Sequence, residues 1–473
     1  MSQRAGGIPK RQIRSIHPKD NGPNPCMIRS RSMVVCALLS TLVGCTSYGN
    51  IDNTLLTHGD TASTYSVEAF QPRFAEGENS FLLAFSGGGT RAAALSYGVL
   101  KALRDVEVDT SRGEIRLLDA VDAISSVSGG SFTSVYYGLH GDGIFSDYES
   151  VFLRKNVQGD LLKRLSNPFN WFRSFGRTEL AVEYYEGNVF RGATYSDLLN
   201  AGGPLILVNA SDLAAGNSIW FSQDYFNMLC SDILDFPVSR AVAASSAVPG
   251  LFTPVVLQNF ADCQYQSPVT MEYAHAAVAG EPQLEMELRA IESYFDKDKR
   301  PYVHLVDGGI TDNLGLRAIY NLSVWDGGVK SYLQRHERKP PRRVVMIIVD
   351  AATEPGYQMN RSNKVPHLTE VMEAMSSVQL HRYTAGTLTL AQQALEEVSR
   401  ELSTPEHPVE TYFIHLSLSQ VTDPVRQAFF NNIPTSFSLS NEQVDALIEV
   451  GGELLHANSN FRRLMADIEA VPE

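Results

Sequence analysis

An α/β fold with a mainly parallel central sheet flanked by helices is what this sequence predicts, on three observations. Short, almost wholly apolar runs recur at residues 81–85, 117–124, 205–208, 302–306, 344–349 and 412–418, the pattern of strands buried on both faces. Helix-period segments lie between them, which suits strand-helix-strand connections and a parallel sheet. Gly-rich turns, finally, stand at the ends of three of the predicted strands. The chain has 473 residues, 44% of them hydrophobic, enough for one large core or a core with a cap.

The elements follow in order. Residues 81–85 read as a buried strand, and Ser86-Gly87-Gly88-Gly89-Thr90-Arg91 leads into a helix over 91–103, with Leu95, Val99, Leu100 and Leu103 spaced for burial. Backbone N–H groups at such a junction are free, and without side chains Gly87, Gly88 and Gly89 can turn them towards one point, where the helix N-terminus also favours negative charge. That suits an oxyanion hole. The same residues fit G-x-G-x-x-A, a dinucleotide fingerprint. That reading wants an acidic residue at the end of a second strand, whereas Asp105, Glu107 and Asp109 fall in a polar connection before any such strand.

The run 117–124 leads to Ser126-Val127-Ser128-Gly129-Gly130 and a helix over 131–139. Ser128 then sits on a sharp strand-to-helix turn, which exposes a nucleophile, with Ser126 and Gly130 as the small residues such an elbow needs. Taken alone, the stretch also reads as a Ser/Gly-rich loop without chemistry. The run 302–306 places Asp307 at a strand end, and Gly308-Gly309 bends the chain away; alone, this is also a common turn pair. Charged residues 281–298 read as an exposed helix or loop. Beyond them, Leu368–Leu402 carries a long helical pattern, and a last helix starts at Ser440, where Ser440 and Gln443 form a capping box. These C-terminal helices read as cover for the sheet.

Together the three Gly-rich stretches resemble the patatin-like phospholipase family, with its G-G-G-x-R/K oxyanion loop, G-x-S-x-G nucleophile and D-G-G/A aspartate. Asn209-Ala210-Ser211-Asp212-Leu213, Ala244-Ser245-Ser246-Ala247-Val248-Pro249 and Asp312-Asn313 add to the resemblance, which covers residues 80–317. Ser126 stands in place of the first Gly, and Ala92 where a Gly often follows the Arg. The resemblance implies a patatin-like three-layer fold. It also implies a lipid acyl hydrolase in which Asp307 is general base to Ser128, an acyl-enzyme forms, and neither a catalytic histidine nor a cofactor is needed. Gly87, Gly88 and Gly89 would supply the oxyanion hole, supported by Arg91, Gly130, Gly308 and Gly309. Arg91 would orient the loop or the substrate phosphate, or else be a solvated first-turn side chain. The implied substrates are glycerophospholipids or lysophospholipids.

Two other readings stay open. A Ser-Asp-His triad of the α/β-hydrolase kind would draw on His415 or His456, both of which follow Asp307. A catalytically silent lipid-binding envelope protein could use the same fold. None of the 11 histidines is clustered like a metal site, so no catalytic metal is expected.

Residues 33–43 form an eleven-residue apolar stretch preceded by Arg29 and Arg31 and ended by Leu42-Val43-Gly44-Cys45. It is too short to span a bilayer and suits a signal segment. Its ending resembles a bacterial lipobox, which implies lipidation of Cys45 and, with Thr46 following, the periplasmic face of an outer membrane. Residues 1–26 are basic and Pro-rich, which points to Met27 as the start of translation. The expected organisation is a signal segment over 1–44, a lipid-anchored tether over 45–79, a catalytic domain over 80–420 and a C-terminal helical extension over 421–473.

Net charge is -14, and residues 1–44 hold seven Lys/Arg and one Asp, so the remainder carries -14 - 6 = -20. This argues against nucleic acid as a partner and leaves membrane contact to the anchor and local patches. Residues 163–177 are one such patch, mixing Lys163, Arg164, Arg173 and Arg177 with Phe169, Trp171, Phe172 and Phe175; it reads as a lid or interfacial contact, or as aromatics packed into the core. Beyond Cys45 only Cys230 and Cys263 remain, and in an oxidising compartment these can pair.

Overall fold

The computed structural model describes residues 49–57, 64–71, 78–110, 113–166, 176–261, 263, 275, 278–325, 328–354, 360 and 362–469. Its centre is a sheet of eight strands: β1 (Asn79–Phe85), β2 (Val121–Val127), β3 (Leu205–Asp212), β4 (Ser218–Trp220), β5 (Val255–Gln258), β6 (Tyr302–Asp307), β7 (Arg343–Asp350) and β8 (Glu410–Ser417). The order is β8-β7-β1-β2-β3-β6-β5, with β4 paired on β3. The five strands from β8 to β3 are mutually parallel. By contrast, β6 runs antiparallel to both β3 and β5.

Two hydrophobic clusters lie on opposite faces of the sheet, and β7 shows why. Val345, Ile347 and Val349 join one cluster while Val344, Met346 and Ile348 join the other, the two-residue alternation of a strand covered on both sides. Helices α1 (Thr90–Arg104) and α2 (Gly129–His140), with α3 (Val238–Ser245), belong to the larger cluster. Helix α4 (Leu368–Leu402) covers the other face through Ala391, Leu395 and Leu402. Helix, sheet and helix make the three layers expected.

The C-terminal helices α5 (Asn441–Ala457) and α6 (Ser459–Glu469) are part of the larger core. Ser440 and Gln443 form the capping box read from the sequence. Helix α5 crosses α1 so closely that a Cβ at Gly98 would lie 2.2 Å from the Ile448 carbonyl oxygen, and one at Gly451 2.8 Å from that of Leu95.

Several elements differ from the sequence reading. Leu117–Ala120 is a 3₁₀ turn before β2, and Glu107–Thr110 pairs with Gly113–Arg116 as a small hairpin where a plain connection was expected. Within 281–298, Pro282–Glu292 is a helix with one buried side, where Leu284 and Leu288 pack and Glu287 pairs with Arg317. The tether expected over 45–79 is not a free spacer where it is described. Thr54–Leu55 pairs with Ser231–Asp232, Tyr65 and Phe70 are buried, and Asp52 joins Glu179 on buried Arg240. The Asn53 side chain exchanges two 2.9 Å hydrogen bonds with the backbone of Gln258, supplying edge strand β5 with a partner. Cys230 and Cys263 form a disulfide. Cys45, the signal segment and residues 167–175 of the aromatic patch lie outside the described residues.

Candidate active site

Parallel pairing sets Phe85 against Ser126, and Val127 against Asn209. The Gly-rich loop after β1 and the elbow after β2 therefore leave the same end of the sheet side by side. Ser128 connects β2 to α2 with φ 48° and ψ −115° and is 5% exposed, a conformation that costs a non-glycine residue on the order of 1–3 kcal/mol. The turn is possible because the chain behind it carries no side chain. A Cβ at Gly129 would lie 2.0 Å from the Gly89 carbonyl oxygen, and one at Gly130 2.7 Å from that of Phe85.

Asp307 arrives from the other direction, since antiparallel β6 places it opposite Ala210 on β3. Strands β2 and β6 are separated by β3, roughly 10 Å from axis to axis at ordinary strand spacing. Gly308 closes that gap by lying directly over β3: a Cβ there would be 2.5 Å from the Asn209 carbonyl oxygen and 3.1 Å from Val127 Cγ1. The Ser128 side chain is thereby brought to the Asp307 carboxylate, close enough to lower its pKa. Gly309 N–H donates to Asp307 Oδ1 at 2.8 Å. Asp307 is partly exposed as a residue, yet its carboxylate is hemmed in by protein. Desolvation pushes its pKa up to about 6 from 3.8, against the opposing pull of the Gly309 N–H and the Ser128 side chain. A carboxylate so placed is a stronger base than one in water.

The glycine loop divides its N–H groups. Gly87 departs from the expectation for an oxyanion donor, because its N–H is committed to the Asn313 carbonyl at 3.0 Å. Gly88 and Gly89, both at positive φ, have N–H groups with no protein acceptor among the described residues. Arg91 is neither solvated nor free to meet a phosphate. Its guanidinium is buried and donates to the Ala351 carbonyl at 2.8 Å, the Ile433 carbonyl at 2.6 Å and Thr435 Oγ1 at 3.1 Å, and burial pulls its pKa down to about 10. It ties the loop to the end of β7 and to a C-terminal segment, whose Ser436 carbonyl also accepts from Thr90 N–H at 2.9 Å.

The alternative histidines are elsewhere. His415 lies on β8, with β7 and β1 between it and β2, roughly 14 Å away at ordinary strand spacing, and its Nε2 is 3.3 Å from Asp350. His456 is exposed near the end of α5, with its ring against Phe461.

Sequence reasoning gave no role to the groups that hold these residues in place. Ser245 Oγ accepts from Ser128 N–H at 2.7 Å, and the Ser245 carbonyl accepts from Gly308 N–H at 3.1 Å. The Ala247 carbonyl accepts from Asp307 N–H at 3.0 Å, and Ser211 Oγ donates to the Asp307 carbonyl at 2.8 Å. The signal was present in the stretches 209–213, 244–249 and 312–313, whose residue types match the family pattern although their contacts are non-local.

A family model described as Patatin-like phospholipase matches residues 83–320, a span that contains the glycine loop, the elbow and Asp307. Comparison with curated proteins gives no match. Among solved structures, the chain is similar to human GIVD cytosolic phospholipase A2 at 12% identity and a TM-score of 0.42, covering 82% of this chain and 62% of that one. The same human protein in complex with methyl gamma-linolenyl fluorophosphonate aligns at 14% identity and a TM-score of 0.38, over 83% and 59%. This chain thus spans less than two thirds of the length of those structures. With the three-layer sheet and the matched span taken together, the chain belongs to the patatin-like phospholipase family.

Proposed function

We propose that this protein hydrolyses fatty acyl esters of glycerophospholipids or lysophospholipids through Ser128 and Asp307. The observation that carries the reading is the placement of the Ser128 side chain against a carboxylate whose pKa burial has raised, beside two N–H groups without acceptors among the described residues. Asp307 takes the Ser128 proton as Oγ attacks the ester carbonyl. The tetrahedral oxyanion is met by Gly88 and Gly89 N–H, and collapse expels the alcohol, which takes the proton back from Asp307. Water, deprotonated by the same carboxylate, then releases the fatty acid and restores Ser128. Membership of the family supports lipid acyl hydrolysis; the dyad and the substrate class are the proposal.

The test is fatty acid release from phosphatidylcholine, lysophosphatidylcholine and a short-chain ester by the wild type and Ser128→Ala. Release by the wild type alone is expected, and its relative rates rank the substrates. No release from any of the three would move the silent lipid-binding reading ahead. We also propose anchoring through a lipid on Cys45 at the periplasmic face of an outer membrane, supported by the apolar stretch and Leu42-Val43-Gly44-Cys45 alone. Intact mass of the membrane-extracted protein, beside Cys45→Ser, decides that point.

A further inference from the structure

Ser128 occupies a backbone conformation that its surroundings must enforce, and one residue touches both halves of the site. Ser245 ends α3 fully buried. Its Oγ accepts from the backbone N–H of Ser128 at 2.7 Å and lies 3.2 Å from Ser131 Oγ in the first turn of α2. Its carbonyl accepts from Gly308 N–H at 3.1 Å, and two residues on the Ala247 carbonyl accepts from Asp307 N–H at 3.0 Å. One short segment therefore fixes the nucleophile turn through a side chain and the aspartate turn through its backbone.

We infer that Ser245 is the positioning residue that sets Ser128 against Asp307, an inference that rests on the dyad reading above. Its oxygen is the acceptor that holds the strained Ser128 amide, so removing it lets the elbow relax and swings the hydroxyl away from the carboxylate. The backbone half of the clamp survives such a substitution, which confines the perturbation to Ser128 and to Ser131 in the first turn of α2. The neighbouring Ser246 supplies a matched control. It is equally buried, but its Oγ donates to the Val242 carbonyl of its own helix at 2.7 Å.

The experiment measures phosphonylation by a soluble fluorophosphonate, a reagent that reports serine nucleophilicity, alongside kcat and KM for a short-chain ester. Ser245→Ala should lower the phosphonylation rate and kcat by about tenfold to a hundredfold, the scale of one buried hydrogen bond, with KM nearly unchanged. Its acid limb of activity should move to higher pH, because the nearby Ser128 side chain that pulls the Asp307 pKa down is displaced. Ser246→Ala should lose comparable thermal stability and keep rate and pH profile, and Ser245→Thr, which retains the oxygen, should recover most of the rate. A Ser245→Ala enzyme with wild-type rate and profile overturns the inference, and so does a Thr variant that folds yet is as slow as Ala. Should Ser245→Ala not fold, the Thr result and the Ser246 control still decide. Reaction of the fluorophosphonate with Ser128→Ala would instead overturn the dyad reading itself.

Discussion

Lowering the pH from 7 to 5 should cost this enzyme most of its activity, by an amount the site itself sets. The proposed general base works only when ionised. Asp307 has its pKa raised to about 6 from 3.8, first by desolvation. With a pKa of 6, the ionised fraction falls from about 91% at pH 7 to about 9% at pH 5, a tenfold loss with unit slope. An Asp at 3.8 would lose only about 6% over the same interval. The assay is kcat/KM for a soluble short-chain ester across pH 4.5–8, with circular dichroism at each pH to show that the fold persists. A profile flat to pH 5 would refute the claim that burial raises the base. A limb that disappears in His415→Ala would refute the assignment of the base.

Three further outcomes follow from the same geometry. A carboxyl whose folded pKa is raised contributes stability that is full below its ordinary value and lost as pH rises through about 6. Ionised Asp307 therefore costs the fold on the order of 2–3 kcal/mol above that pH, and Asp307→Asn should melt higher than wild type at pH 8, with the gap closing towards pH 4. Gly89→Ala would set its Cβ 2.5 Å from the Ser436 carbonyl oxygen at φ +62°, displacing the Gly89 amide. Loss of one oxyanion donor costs roughly 10²–10³ in kcat, read as ester turnover with thermal stability measured in parallel. Arg91→Lys cannot reach three divergent acceptors with one ammonium. Denaturant titration should show a loss on the order of 3 kcal/mol, together with a lower kcat as the glycine loop loosens.

Much of this arrangement is legible in the sequence because its signals are local. The runs 81–85, 205–208 and 344–349 are buried on both faces and so are continuously apolar, and the capping box at Ser440 is a three-residue spacing. Gly130 and Gly308 are glycines because a Cβ at each would strike backbone oxygens. What sequence cannot carry is direction and partnership. Nothing within 302–307 says that β6 runs antiparallel, although that reversal brings Asp307 to Ser128. Edge strands β4 and β5 are too short to announce themselves. The polar segment 49–57 reads as a tether because its contacts, Asn53 on Gln258 and Asp52 on Arg240, are polar and distant in the chain. Gly87 reads as an oxyanion donor in the sequence because its acceptor, Asn313, is over two hundred residues away.

In the proposed reaction a carboxylate, not a histidine, activates Ser128. The most direct measurement of that role is kcat/KM on one lysophospholipid for Asp307→Asn, His415→Ala and His456→Ala, beside the wild type. A loss of about a thousandfold or more is expected for Asp307→Asn, with values within about threefold of wild type for both histidine variants. Retained activity in Asp307→Asn, with collapse in either histidine variant, would contradict it.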